Sequence, residues 1–167
     1  MLKLMIRFEQ LGPDEGPRLR AIRLRALQDA PDAFGTTFEQ ASAHSDEVWA
    51  RQVVELPTFV IVYEDDGRDV AMVRCARDPD QTDTAWLISM WVAPEMRRAR
   101  AGGALVDRVV DWARANGISR LVVDVADLNR PAVALYEAKG FVPNGKVGSL
   151  PPPRQHIREH QRELRLA

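Results

Sequence analysis

Cysteine is almost absent from this chain of 167 residues. Cys75 stands alone, so neither an intramolecular disulfide nor a cysteine-based zinc site can form. Lysine is scarce as well: of 23 basic residues only Lys3, Lys139 and Lys146 are lysine. Charge of one sign is missing too. The formal net charge is −1, so no overall field draws the protein to nucleic acid or an anionic membrane. No apolar run approaches the length of a membrane span. Met1 to Ile6 is too short for a signal-peptide hydrophobic region and lacks a cleavage site. The histidines, His44, His156 and His160, are too scattered for a metal site, and no metal is expected. What remains is an ordinary globular composition, 46% hydrophobic and 28% charged. The expectation is one domain over residues 1–167 in a soluble, reducing, cytoplasmic setting.

Periodicity divides the chain into alternating elements. Leu4 to Phe8 suits a short first strand, and Gly12 to Pro17 a turn. Leu19, Ile22, Ala26 and Leu27 recur at helical spacing; Arg18, Arg20, Arg23 and Arg25 among them suit a solvated helix face. Asp29 to Gly35 ends that helix, and Ser45 can cap a second, with Asp46 and Glu47 in its first turn. Phe59 to Tyr63 and Asp69 to Arg77 flank a hairpin turn at Asp65 to Arg68. Trp86 to Val92 is the next strand, and a long helix follows it to Asn116-Gly117. Leu121 to Val125 has the β-branched character of a buried central strand. Asn129 can cap a helix that Gly140 ends, and Phe141-Val142 begins a further strand. Gly145 to Pro153 suits a loop, and Leu164 and Leu166 a final strand. The order is β-α-α-β-β-β-α-β-α-β-β, an α/β (α+β) fold with a mixed sheet.

Between Val92 and the long helix lies Arg97-Arg98-Ala99-Arg100-Ala101-Gly102-Gly103-Ala104. A basic, glycine-containing loop running from a strand into a helix start gathers free N–H groups and the positive end of the helix dipole. That is a place to hold a phosphate.

Two motifs carry a family resemblance. Arg97-x-x-x-x-Gly102 is close to Gln/Arg-x-x-Gly-x-Gly/Ala, the acetyl-CoA signature of the GNAT superfamily of N-acetyltransferases. Asn129-x-x-Ala132-x-x-Leu135-Tyr136-x-x-x-Gly140-Phe141 matches that family's second block at every named position. The chain thus resembles a GNAT acetyltransferase, and its segment Leu24 to Phe34 is similar to a bacterial, uncharacterised subgroup. The resemblance implies a sheet splayed between its fourth and fifth strands. Pantetheine would pair with the backbone around Trp91 and Val92. The diphosphate would sit on the loop formed by Arg97, Arg98, Ala99, Arg100, Ala101, Gly102 and Gly103, with Asn129 holding the pantetheine arm or the start of its helix. It implies acetyl-CoA as co-substrate and a small-molecule or peptide amine as acceptor. Tyr136 would be general acid to the leaving thiolate, and a backbone N–H near Val92 the oxyanion donor. Alternatively, Tyr136 is a core tyrosine, Asn129 only a cap, and Arg97 and Arg98 solvated charges.

The chain departs from the pattern twice. Arg100 stands where the signature has its first glycine; an arginine fits there if its dihedrals are helical and its side chain points away or caps a phosphate. Trp86 stands where many members carry a glutamate base, so the base must be another carboxylate, a histidine, or water. Cys75 suits a core position better than an acyl-enzyme. Asp29, Asp32 and Glu39 suit solvated loop carboxylates, though each could draw in a cationic amine. The rival readings are a non-catalytic acyl-CoA-binding or regulatory protein on the same fold and, third, a nucleotide-binding Rossmann-type enzyme, for which G-x-G-x-x-G is missing. Exposed sheet edges allow a homodimer.

Overall fold

The computed structural model describes residues 5–97 and 99–167. It holds β1 (Ile6–Gln10), α1 (Gly16–Asp29), α2 (Phe38–Ser42), α3 (Asp46–Glu55), β2 (Thr58–Tyr63), β3 (Arg68–Arg77), β4 (Thr84–Val92), α4 (Ala101–Ala115), β5 (Arg120–Ala126), α5 (Arg130–Ala138), β6 (Val142–Ser149) and β7 (Arg158–Arg165). The strands form one seven-stranded mixed sheet in the order β1-β2-β3-β4-β5-β7-β6. Only β4 and β5 run parallel among the paired neighbours, joined by the crossover through α4.

The periodicities explain most of this. Leu19, Ile22, Ala26 and Leu27 are fully buried on one stripe of α1. Ser45 caps α3 by accepting from the Val48 N–H, and Trp49 and Val53 are buried on its inner face. Val60 to Val62, Val70 to Cys75 and Leu121 to Val123 are continuous buried runs, as strands covered on both faces require. The covering layers are identified by β1. Glu9 meets Arg18 of α1, whereas the neighbouring Phe8 lies under Arg108 of α4. Successive strand residues point to opposite faces, so α1 and α4 cover opposite faces of the sheet.

Three expectations need correction. A short helix, α2, intervenes; Thr37 and Gln40 form its reciprocal capping box. The stretch expected as a loop from Gly145 is strand as far as Ser149, because pairing with β7 overrides its polar, glycine-containing sequence. Of the α1 arginines expected on a solvated face, Arg20 is exposed but the other three are engaged by the fold. Arg18 bridges Asp69, Glu9 and Glu15, Arg25 donates to the Asp69 carbonyl and lies over Trp91, and Arg23 is buried.

Candidate functional site

β4 carries an irregularity that opens the sheet. Its pairing with β3 shifts between Met72 and Arg74, so Ser89 and Met90 together oppose Val73. Ser89 takes up the bulge with a φ of 58°, a left-handed conformation. β4 leaves β5 shortly before the bulge, beyond Trp86. Their parallel pairing covers only Thr84 to Trp86 against Arg120 to Val122. The later halves of both strands therefore face each other across a gap with main-chain groups unpaired, which demands a partner. The Ala93 N–H pairs with β3, so by alternation the main-chain groups of Val92 point into the gap.

A cleft of about 890 Å³ occupies this opening. Trp91, Val92, Arg97, Arg100, Ala101, Gly102, Gly103 and Asn129 all line it. Its far walls are the turn after α1, including Asp32 and Phe34, and Leu128, Leu135 and Ile157. Ala99 and Tyr136 are not on the lining, and Arg98 lies outside the described residues. Tyr136 sits just behind it, 3% exposed, with its ring edge-to-face against Phe141. Burial pushes its hydroxyl well above the usual phenol range, so it stays protonated.

Asn129 is both cap and lining: its Oδ1 accepts from the Ala132 N–H at 3.3 Å. α4, by contrast, has no side-chain cap. Its first internal bond runs from the Ala104 N–H to the Arg100 carbonyl, leaving the N–H groups of Ala101, Gly102 and Gly103 in an open first turn. Gly102 also permits close packing of helices, since a Cβ there would lie 3.0 Å from Leu135 Cδ2. Arg97, though exposed, is tied to the cleft wall, donating to the Val92 carbonyl and pairing with Asp29 at 2.6 Å. Asp29 also accepts from Trp91 Nε1, so it is a structural tie and not a solvated loop carboxylate. Glu39 is exposed, and Asp32 is an exposed carboxylate on the cleft lining.

Arg100 does not adopt right-handed helical dihedrals: at φ 60° and ψ 20° it holds the left-handed conformation that glycine adopts freely. The cost is about 1–2 kcal/mol, against about 0.4–1 kcal/mol that glycine loses through the unfolded chain. Arg100→Gly is thus expected to stabilise the protein slightly, raising Tm by about 1–4 °C in a calorimetric scan. A lowered Tm would show that the arginine side chain contributes more than its backbone costs.

The other candidates separate cleanly. Trp86 lies in the paired half of β4 and donates to Asp78 at 3.0 Å, away from the cleft lining. Cys75 is fully buried and its thiol is pushed up to about 12, which leaves no thiolate for an acyl-enzyme. His44 packs edge-on to Trp49, and His156 is exposed. His160 is in β7 rather than in a loop, opposite Val125, and contacts Asp127. No group of metal ligands is found among the described residues, and no described helix is long and apolar enough to cross a membrane.

Residues that the sequence motifs do not single out complete the site. Leu164, opposite Leu121, reaches Gly140 at the end of α5, so the odd-numbered positions of β5 face α5. Asp124 and Ala126 therefore face the α1 side, and Ala126 lines the cleft. Asp124 is the acidic side chain just past the point where β4 and β5 part. Gln161 donates to it at 3.4 Å and in turn accepts from Asn144 at 2.7 Å. Asp124 is exposed and is not on the cleft lining itself, but desolvation by the surrounding protein raises its pKa, and neighbouring Glu159 is raised by desolvation and by Asp124 itself.

Solved structures share the fold that places these elements around one cleft. A crystal structure of a GNAT-family acetyltransferase from Streptococcus pneumoniae superimposes with a TM-score of 0.82 at 17% identity, over 98% of this chain and 100% of that one. The yncA protein of Salmonella typhimurium, solved with its cofactor acetyl-CoA, gives 0.74 at 18% identity, over 99% and 95%. In sequence, the mycothiol acetyltransferase of Beutenbergia cavernae is 28% identical over 123 residues, 74% of this chain. The chain spans only 40% of that relative's length. The model of the Acetyltransferase (GNAT) family matches residues 23–141, from within α1 through both motifs to the residue before β6, and the chain belongs to that family.

Proposed function

We propose that the protein is an acetyl-CoA-dependent N-acetyltransferase acting on a primary amine by direct attack. The observation that carries this reading is the opening of the sheet beyond Trp86 and Val122, with the bare start of α4 facing it. The residues present fit CoA. The open main chain around Val92 suits pantetheine amides, and the first-turn N–H groups of α4 suit a diphosphate, with Arg100 beside them. Acetyl-CoA would supply an acetyl group activated as a thioester.

The chain's own groups supply the rest. An alkylammonium has a reference pKa of roughly 10 and no lone pair, so the acceptor must lose a proton. Asp124 takes it, directly or through one water. Desolvation raises its pKa above the ordinary carboxylate value, which makes it the stronger base. A Val92 N–H donates to the developing oxyanion. Tyr136 donates a hydrogen bond to the departing sulfur. Direct transfer is favoured over a covalent enzyme by the buried, protonated Cys75.

Calorimetric titration with CoA, followed by assay of CoA release from acetyl-CoA across a panel of amines, tests the reading. One CoA per chain and release with at least one amine are expected. Absence of CoA binding overturns it. Binding without release favours the second reading, a non-catalytic acyl-CoA-binding protein, which the absence of a glutamate at Trp86 motivates.

A further inference from the structure

Two arginines are buried on the α1 face of the sheet without a counter-charge. Arg23 of α1 is 5% exposed and Arg74 of β3 is 7% exposed. Arg74 is held by neutral groups: its Nε donates to Ser89 Oγ at 2.8 Å and its Nη1 to Gln52 at 2.9 Å. Arg23 lies flat over the Phe34 ring, 4.6 Å from its centre, and its Nη1 is buried with no hydrogen-bond partner among the described residues. Burial lowers both, Arg74 to about 10 and Arg23 to about 9, the latter also by repulsion from Arg74; no carboxylate acts on either. Both remain cationic at neutral pH. An unpaired buried charge is among the most destabilising features a fold can carry, and here two adjoin each other.

Their location indicates what offsets this. Phe34, under Arg23, is a wall of the cleft. Ser89, holding Arg74, is the bulge in the unpaired half of β4, next to cleft-lining Met90. Asp124 faces the same side of the sheet from the far edge of the gap. β3 and β5 are two strand spacings apart, roughly 10 Å before splaying. None of the three is on the cleft lining itself; the two cations lie behind one wall, at Phe34 and Ser89, and the carboxylate lies beyond the other, beside Ala126.

We infer that the acceptor is an amine that also bears a carboxylate, an amino-acid-like molecule whose carboxylate docks at Arg23 and Arg74 while its nitrogen faces Asp124. Guanidinium groups bind carboxylates through paired, charge-assisted hydrogen bonds, and among the described residues no carboxylate of this chain acts on Arg23 or Arg74. Apolar Phe34, Met90, Leu128 and Ile157 favour an apolar remainder. This rests on the transferase reading but is tested apart from it.

L-leucine, L-methionine and L-phenylalanine are each assayed with acetyl-CoA beside their carboxamides and the amines lacking the carboxyl group. The acids are expected to exceed both by at least tenfold in kcat/KM. Arg23→Met is expected to abolish that preference through KM, with CoA affinity unchanged and Tm not lowered, since it removes an unpaired buried charge. Carboxamides turned over as well as the acids, or a preference that survives Arg23→Met, overturn the inference. Arg74→Gln serves the same purpose if Arg23→Met does not fold. If nothing is acetylated, the transferase reading fails but the carboxylate site is still decided by titrating the N-acetyl derivatives of the same amino acids against their amides with CoA present. Binding of the acids alone, lost in the Arg23 variant, supports the site; no binding of the acids, or equal binding of the amides, overturns it.

Discussion

Asp124→Asn is expected to lower kcat by about 10²–10⁴-fold, the usual range for losing a positioned general base, while the Kd for CoA stays within about twofold. Asparagine keeps the shape and the contact with Gln161 but cannot take a proton. The pH profile distinguishes this from a structural defect. Asp124's pKa is raised in the fold, chiefly by desolvation. The wild-type kcat/KM should therefore fall as pH drops through that raised value, because the base becomes protonated. In the variant the acid limb should flatten. Stability follows the opposite sign. Where the folded pKa of a carboxylate is raised, ionisation weakens the fold as pH rises through it. The asparagine variant should hence keep, or slightly gain, Tm at neutral pH. A full-rate variant with an unaltered acid limb would remove Asp124 from the chemistry and direct attention to Asp32 on the cleft lining.

Much of the site's frame was legible in the sequence because its signals are local. Asn129 caps the helix it precedes, and the Ala101-Gly102-Gly103 turn opens α4, because both depend on neighbours within a few residues. The parallel pairing of β4 with β5 follows from the helix between them. The burial of Arg23 and Arg74 and the face taken by Asp124 were not legible. Arginines at helical spacing in α1 look like a solvated face until the sheet they cover is known. Asp124 in a β-branched run differs from a surface acid only through the register of β5 with β7, which decides its face. Arg100 shows a further limit. The glycine it replaces pointed to close backbone approach, yet the dihedral it occupies depends on how the loop enters α4.

Tyr136→Phe is expected to lower kcat by about 10²-fold, the effect of removing one hydrogen-bond donor from developing charge, with acetyl-CoA affinity within about twofold. Phenylalanine retains the ring that meets Phe141 edge-to-face at 5.5 Å, so stability should change by less than about 1 kcal/mol. The manner of the loss follows from acidity. A thiol has a reference pKa of about 8.5 and a phenol about 10, and burial raises Tyr136 further. Full proton transfer from the tyrosine to the sulfur is therefore uphill. In the proposed mechanism Tyr136 therefore contributes as a hydrogen-bond donor, and the proton that finally reaches the sulfur comes from the nitrogen by way of Asp124 or solvent. Two readouts follow. The alkaline limb of the rate profile should show no tyrosine ionisation in the working range. The deficit of the variant should shrink with an acetyl thioester of a more acidic thiol, whose anion leaves with less need of a donor. A deficit independent of the leaving thiol would place Tyr136 in packing alone, and an unchanged kcat would remove it from the mechanism.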